Sequence, residues 1–128
     1  MTLNRFCWGL GFFLVAAAVY ICLLPGPEVP RAFMFGDKIN HVLGHAVLAA
    51  YFTGLVARKS WWKIFVCLLL LGVAIEFAQS AMHLGRQADY RDVLANGLGA
   101  AFGLLVGRLG LWRWTQWAIE FVRMRPSR

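Results

Sequence analysis

The chain has 128 residues, is 60% hydrophobic and 15% charged, and carries a formal net charge of +7. Four long apolar runs with few charges between them argue against a soluble domain of this size and fit an integral membrane protein built as one compact bundle. The basic residues lie at the ends of the apolar runs, where they meet headgroups, and form no stripe interleaved with aromatics, so nucleic-acid binding is disfavoured.

The first run covers residues 6–24. Arg5 followed by an apolar stretch with Ala16, Ala17 and Ala18 also has the look of a cleaved signal peptide. Apolar character continues to Leu24, however, longer than a usual signal core, so a spanning helix is the preferred reading. Pro25, Pro27 and Pro30 then forbid continued helix and predict an ordered outer loop. The second run, 39–57, and the third, 61–81, are separated only by Arg58, Lys59 and Ser60, which predicts an antiparallel helical hairpin. Trp61 and Trp62 beside Lys59 and Lys63 suit a membrane–water interface.

The fourth run is 93–111. Each run is close to the roughly 20 residues that cross about 30 Å of hydrocarbon at 1.5 Å per residue. Gly99, Gly103 and Gly107 recur every four residues and leave a flat groove for another helix. Asn96 lies one turn earlier on the same side, which points this face into the bundle; the alternative is a homodimer through Gly99, Gly103 and Gly107. In the tail, 112–124, Trp114, Trp117, Ala118 and Phe121 fall at helical spacing away from Arg113, Gln116, Glu120 and Arg123. A basic, Trp-rich amphipathic helix lying on the inner leaflet is expected there. The expected fold class is an all-α membrane protein: four transmembrane helices plus a C-terminal amphipathic interfacial helix, forming a single domain over residues 1–128.

Cys7, Cys22 and Cys67 lie inside apolar runs without metal-like spacing, so no disulfide or metal–thiolate site is predicted. Orientation follows from the basic residues. The N-terminus, second connection and C-terminus hold nine of them (Arg5, Arg58, Lys59, Lys63, Arg108, Arg113, Arg123, Arg125 and Arg128), against four in the other connections (Arg31, Lys38, Arg86 and Arg91). The positive-inside bias then predicts a multi-pass protein of the bacterial inner membrane with both termini cytoplasmic.

The ionisable and amide residues gather at the outer level. Asp37, His41 and His45 fall at i, i+4 and i+8 on one helix; Glu76, Gln79 and His83 share a face of the next; Arg86, Asp89 and Arg91 follow in a connection; Asp92 and Asn96 begin the fourth helix. Charges at membrane depth are expensive, so function is sought here. The pattern Glu76-Phe77-Ala78-Gln79, then Arg86, Asp89, Asp92, Asn96 and Gly99, with Asp37-Lys38 and His41 before it, resembles that of VanZ-like membrane proteins. The likeness runs from about residue 37 to 107. It implies a small multi-helix protein of the cell envelope, named after a determinant of teicoplanin resistance, with Asp37, Lys38, His41, Glu76, Gln79, Arg86, Asp89, Asp92 and Asn96 at the family's characteristic positions.

Three readings follow. In the first, these nine residues bind an envelope lipid or a cell-wall-related or glycopeptide ligand, Arg86, Arg91 and Lys38 meeting phosphate or carboxylate. This reading carries antibiotic tolerance as the implied phenotype. In the second, the protein is an enzyme acting on a lipid-linked phosphate headgroup, with Glu76, His41 and Asp92 as catalytic candidates and Arg86 stabilising charge. Asp37, His41, Asp89 and Asp92 could also hold a divalent cation, but the spacing is weak, and no metal and no cofactor are predicted. In the third, the network is structural: Glu76 pairs with Arg86 or Arg91, Asp89 and Asp92 cap the fourth helix, and the histidines satisfy nearby groups.

Overall fold

The computed structural model describes residues 3–24, 36–82 and 89–124. Among these the chain is helical throughout, with α1 at Leu3–Leu23, α2 at Asp37–Thr53, α3 at Trp61–Ala81, α4 at Tyr90–Arg108 and α5 at Trp114–Arg123. Short 3-10 turns at Arg58–Ser60 and Leu111–Arg113 lead into α3 and α5. The expected proline loop, together with Arg31, His83 and Arg86, lies outside the described residues.

The bundle is apolar outside and partly polar inside. Phe13 is 66% exposed and Leu98 68%, whereas Glu76 is 3% exposed and Asn96 0%. Water would reverse that distribution, because it favours buried apolar surface and solvated charge; hydrocarbon permits it. The chain is a membrane protein. By length and apolarity, Leu3–Leu23 and Arg58–Ala81 can each cross a membrane, and Tyr90–Arg108 with Leu111–Arg123, bent by 70°, would make a third crossing. The sequence leads one to expect four. At 17 residues α2 is shorter than the second apolar run, because the helix stops at Thr53 and its first half carries Lys38, His41 and His45.

Helices α2 and α3 are joined by a short turn, yet each has its more extensive interface with α4. The glycine stripe explains why. A side chain at Gly99 would collide with the Val42 carbonyl, one at Gly103 with the Ala46 carbonyl, and one at Gly107 with Thr53. Backbone therefore meets backbone along the α2–α4 seam, as small residues allow. The stripe is covered by α2, as the reading that points this face into the bundle expects.

Leu48, Ala49, Ile64, Leu68 and Ala100 form the apolar centre. Helix α1 is attached more lightly, through Trp8 against Phe52 and a hydrogen bond from the Tyr51 hydroxyl to the Cys7 carbonyl. At the end opposite the polar cluster, Gly110 at φ +134° lets the chain bend after α4. The bend carries Trp114 onto the last turn of α2. Its indole Nε1 donates to the Tyr51 carbonyl at 2.9 Å, and the Thr115 hydroxyl donates to the Gly54 carbonyl at 2.9 Å. A distant element thus adds hydrogen bonds to two carbonyls at the C-terminus of α2.

Candidate functional site

The site is built where the first turns of α2 and α4 meet the last turns of α3. Asp89 precedes α4 as its N-cap, and its carboxylate accepts the Arg91 backbone N–H at 2.8 Å. Helix α4 therefore starts three residues earlier than the apolar run, and Asp92 falls in the first turn facing α2. Lys38, in the first turn of α2, donates to Asp92 Oδ1 at 2.9 Å and to Asp89 Oδ2 at 3.1 Å. Its ammonium is half-exposed and forms the mouth of the site.

One turn deeper lies His41, 2% exposed. Its Nδ1 is 2.9 Å from Asn96 Oδ1. With the amide oxygen as acceptor, Nδ1 carries the proton and donates it, and Nε2 is turned toward Glu76, 3.6 Å from Oε1. That separation is longer than a hydrogen bond. Glu76 Oε2 accepts the backbone N–H of Asp89 at 3.2 Å. The close fit of Asn96 depends on Gly72 of α3: a side chain there would overlap the Asn96 carboxamide. Asn96 is fully buried, and its Nδ2 has no hydrogen-bond partner among the described residues.

Of the nine site residues expected from sequence, six converge here: Lys38, His41, Glu76, Asp89, Asp92 and Asn96. Asp37 is the first residue of α2, and Arg86 lies outside the described residues. Gln79 is buried but turned away from the cluster, its Nε2 donating to the Cys22 carbonyl of α1 at 2.6 Å, so it ties α1 to α3. His45 continues the column, with Nδ1 donating to the His41 carbonyl at 3.1 Å. Arg91 places its guanidinium over the Tyr90 ring, 5.9 Å from the centroid. Asp89 is held below the ordinary carboxylate range, first by the Arg91 N–H and then by Lys38.

The sequence reading overlooked the wall beside this cluster. A cavity of about 170 Å³ opens between α3 and α4, lined by Val73, Phe77, Tyr90 and Val93, with Glu76 and Asp89 at its polar end. Phe77 and Tyr90 are mostly exposed on the apolar surface, so the cavity faces the side of the bundle. Aromatic residues beside a cap and a buried acid are a weak signal that could have pointed there. Gly72 was also passed over, since a single glycine in an apolar helix says nothing until its neighbour is known.

Chemically the cluster offers two buried carboxylates, an imidazole, a buried amide and an ammonium. Among the described residues, ligating atoms of His41, Glu76 and Asp92 lie within 4.8 Å of one another. A family profile described as VanZ/LLP1 matches residues 18–112, a span that contains every group of this cluster. The chain belongs to the VanZ/LLP1 family. The match begins inside α1 and ends before α5, so the VanZ/LLP1 region covers α2, α3 and α4 and leaves out most of α1 and the tail helix. No curated protein and no solved structure matches the chain.

Proposed function

We propose that this VanZ/LLP1 protein binds an envelope lipid or a cell-wall-related or glycopeptide ligand in the polar cluster, and through it contributes to glycopeptide tolerance. The observation that carries the reading is the half-exposed Lys38 ammonium at the mouth of a buried His41–Glu76–Asp92–Asn96 network, beside a cavity open to the apolar face. An anionic headgroup would meet Lys38 and Arg86, and its tail would leave along Phe77 and Tyr90. In this reading residues 1–128 form one domain of the bacterial inner membrane. All four long helices cross, the termini are cytoplasmic as the basic residues favour, and α5 lies on the inner leaflet with Trp117 and Phe121 in the headgroup layer. Native mass spectrometry of the purified protein with undecaprenyl phosphate and with other anionic lipids tests it. Retained lipid adducts that weaken in Lys38→Ala and Arg86→Ala are expected, and binding indifferent to Arg86→Ala would remove the proposal.

A second reading has one observation in its favour, the approach of His41 Nε2 to Glu76 Oε1. Such a pair could move a proton during cleavage of a lipid-linked phosphate, with Arg86 stabilising the developing charge. Release of phosphate from a lipid phosphate by wild-type but not by Glu76→Gln protein supports catalysis. Unchanged turnover by Glu76→Gln rejects it.

A further inference from the structure

We propose that His41, Glu76 and Asp92 form a binding site for a divalent cation of the zinc or manganese type. This inference stands whether or not the lipid reading does.

The first support is spacing. His41 Nε2 and Glu76 Oε1 are 3.6 Å apart, too far for a hydrogen bond, and one ligating atom from each of the three residues lies within 4.8 Å of the other two. Ligands about 2.0–2.1 Å from a tetrahedral ion are about 3.3–3.4 Å from each other, so the His41–Glu76 spacing nearly matches already and Asp92 would draw in to share one ion. The second support is the shell around them. Each ligand residue is held from behind by a different partner. Asn96 Oδ1 accepts a hydrogen bond from His41 Nδ1, the Asp89 backbone N–H donates to Glu76 Oε2, and the Lys38 ammonium donates to Asp92 Oδ1. These partners hold the three residues where one ligating atom of each lies within reach of the other two. An outer partner on the far nitrogen of a ligating histidine, fixing tautomer and ring orientation, is the usual arrangement at metal sites. Asn96 does this from complete burial, with its own Nδ2 left without a partner among the described residues. A buried amide with one end unsatisfied is costly unless holding the ring is its purpose.

The third support is charge. Two carboxylates lie within 5% exposure at one spot, and Lys38, which bonds Asp92, is shared with a third carboxylate, Asp89. A divalent ion relieves the repulsion between Glu76 and Asp92. One imidazole with two carboxylates suits zinc or manganese better than calcium or magnesium, which favour oxygen alone. Three protein ligands leave room for a fourth, from water or from an anionic group entering past Lys38.

The full chain, purified in detergent and stripped with a chelator, should be titrated with Zn²⁺, Mn²⁺ and, as a control, Mg²⁺. Metal content and melting temperature are the readouts, and Co²⁺ serves as a visible-absorption probe. The expected result is one equivalent of Zn²⁺ or Mn²⁺, a raised melting temperature, and a Co²⁺ spectrum with a nitrogen–oxygen ligand set. His41→Ala and Asp92→Asn should lose the ion, Asn96→Ala should bind it about 10- to 100-fold more weakly, and His45→Ala should bind it normally. Should a variant fail to fold, the wild-type titration decides alone. No bound equivalent of either metal, or a bound equivalent that persists in folded His41→Ala protein, overturns the proposal. Repeating the lipid experiment on metal-free protein separates the two readings, since lipid adducts that persist there leave that one standing by itself.

Discussion

The two ends of the bundle are held together by opposite means. At one end, side chains bond side chains across helices: Lys38 to Asp89 and Asp92, and His41 to Asn96, with Glu76 close beside His41. At the other, aromatic and hydroxyl groups bond backbone: Trp114 to Tyr51, Thr115 to Gly54 and Trp61 to the Val56 carbonyl. Backbone capping saves carbonyls at helix ends and requires no charge at depth. The charged end does what helix ends do not need, since a single N-cap, Asp89, already satisfies the start of α4. Buried ion networks are weak sources of net stability and strongly destabilising once one member is lost. The contrast puts backbone capping at the aromatic end and a side-chain network of the kind the proposed function uses at the charged end.

The seam between the ends offers the severest test. Gly103→Val would drive a side chain into the Ala46 backbone of α2, and a backbone cannot step aside as a side-chain tip can. Loss of folded protein is expected in a detergent melting assay. Gly44→Ala, where a methyl group meets open space, should melt at or slightly above wild type, since alanine favours helix by about 0.5–1 kcal/mol. Next comes Glu76→Ala, which removes the acceptor of the Asp89 backbone N–H and the carboxylate beside His41. A loss of about 3–5 kcal/mol in denaturant unfolding is expected, far more than for Phe121→Ala, an exposed tail residue. Equal losses would erase the distinction between the two ends.

Trp114→Phe sharpens the comparison from the other side. It keeps the ring against Tyr51 and removes only the Nε1 donor. A loss of about 1 kcal/mol is expected, with metal content and lipid adducts unchanged. The smallest effect should come from acid. The Asp89 carboxyl is held below its ordinary range in the folded protein, so the stability it contributes is present above about pH 4, its unfolded value, and is lost as pH falls through the lower folded value. Asp89→Asn should therefore flatten the fall in melting temperature between about pH 5 and 3. An unaltered slope would mean that the cap and the Lys38 pair do not couple to folding.

Much of the site was legible because charged and amide residues are rare in and beside apolar runs: helical spacing singled out His41, Glu76, Asp92 and Asn96, and the family resemblance added Lys38 and Asp89. Their partners were not legible. Gln79 sat on the same face as Glu76 by helical spacing, yet a small rotation between successive turns sends it to α1. Sequence spacing assigns a side chain to a face and leaves its partner open whenever two helices border that face. Likewise the second apolar run continues to residue 57, but the helix ends at Thr53, because Trp114 fills the space beside Gly54 and α5 supplies the caps.

By itself the sequence determined the membrane class, the five helices and the level at which polar groups gather, because hydropathy and helical period are local properties that each segment carries alone. Only the tertiary structure decided that α2 and α3 both pack on α4, that Gly72 makes room for Asn96, and that three ligating groups face a common centre. Those depend on which backbones can approach each other, and close approach is a property of pairs of segments far apart in the chain.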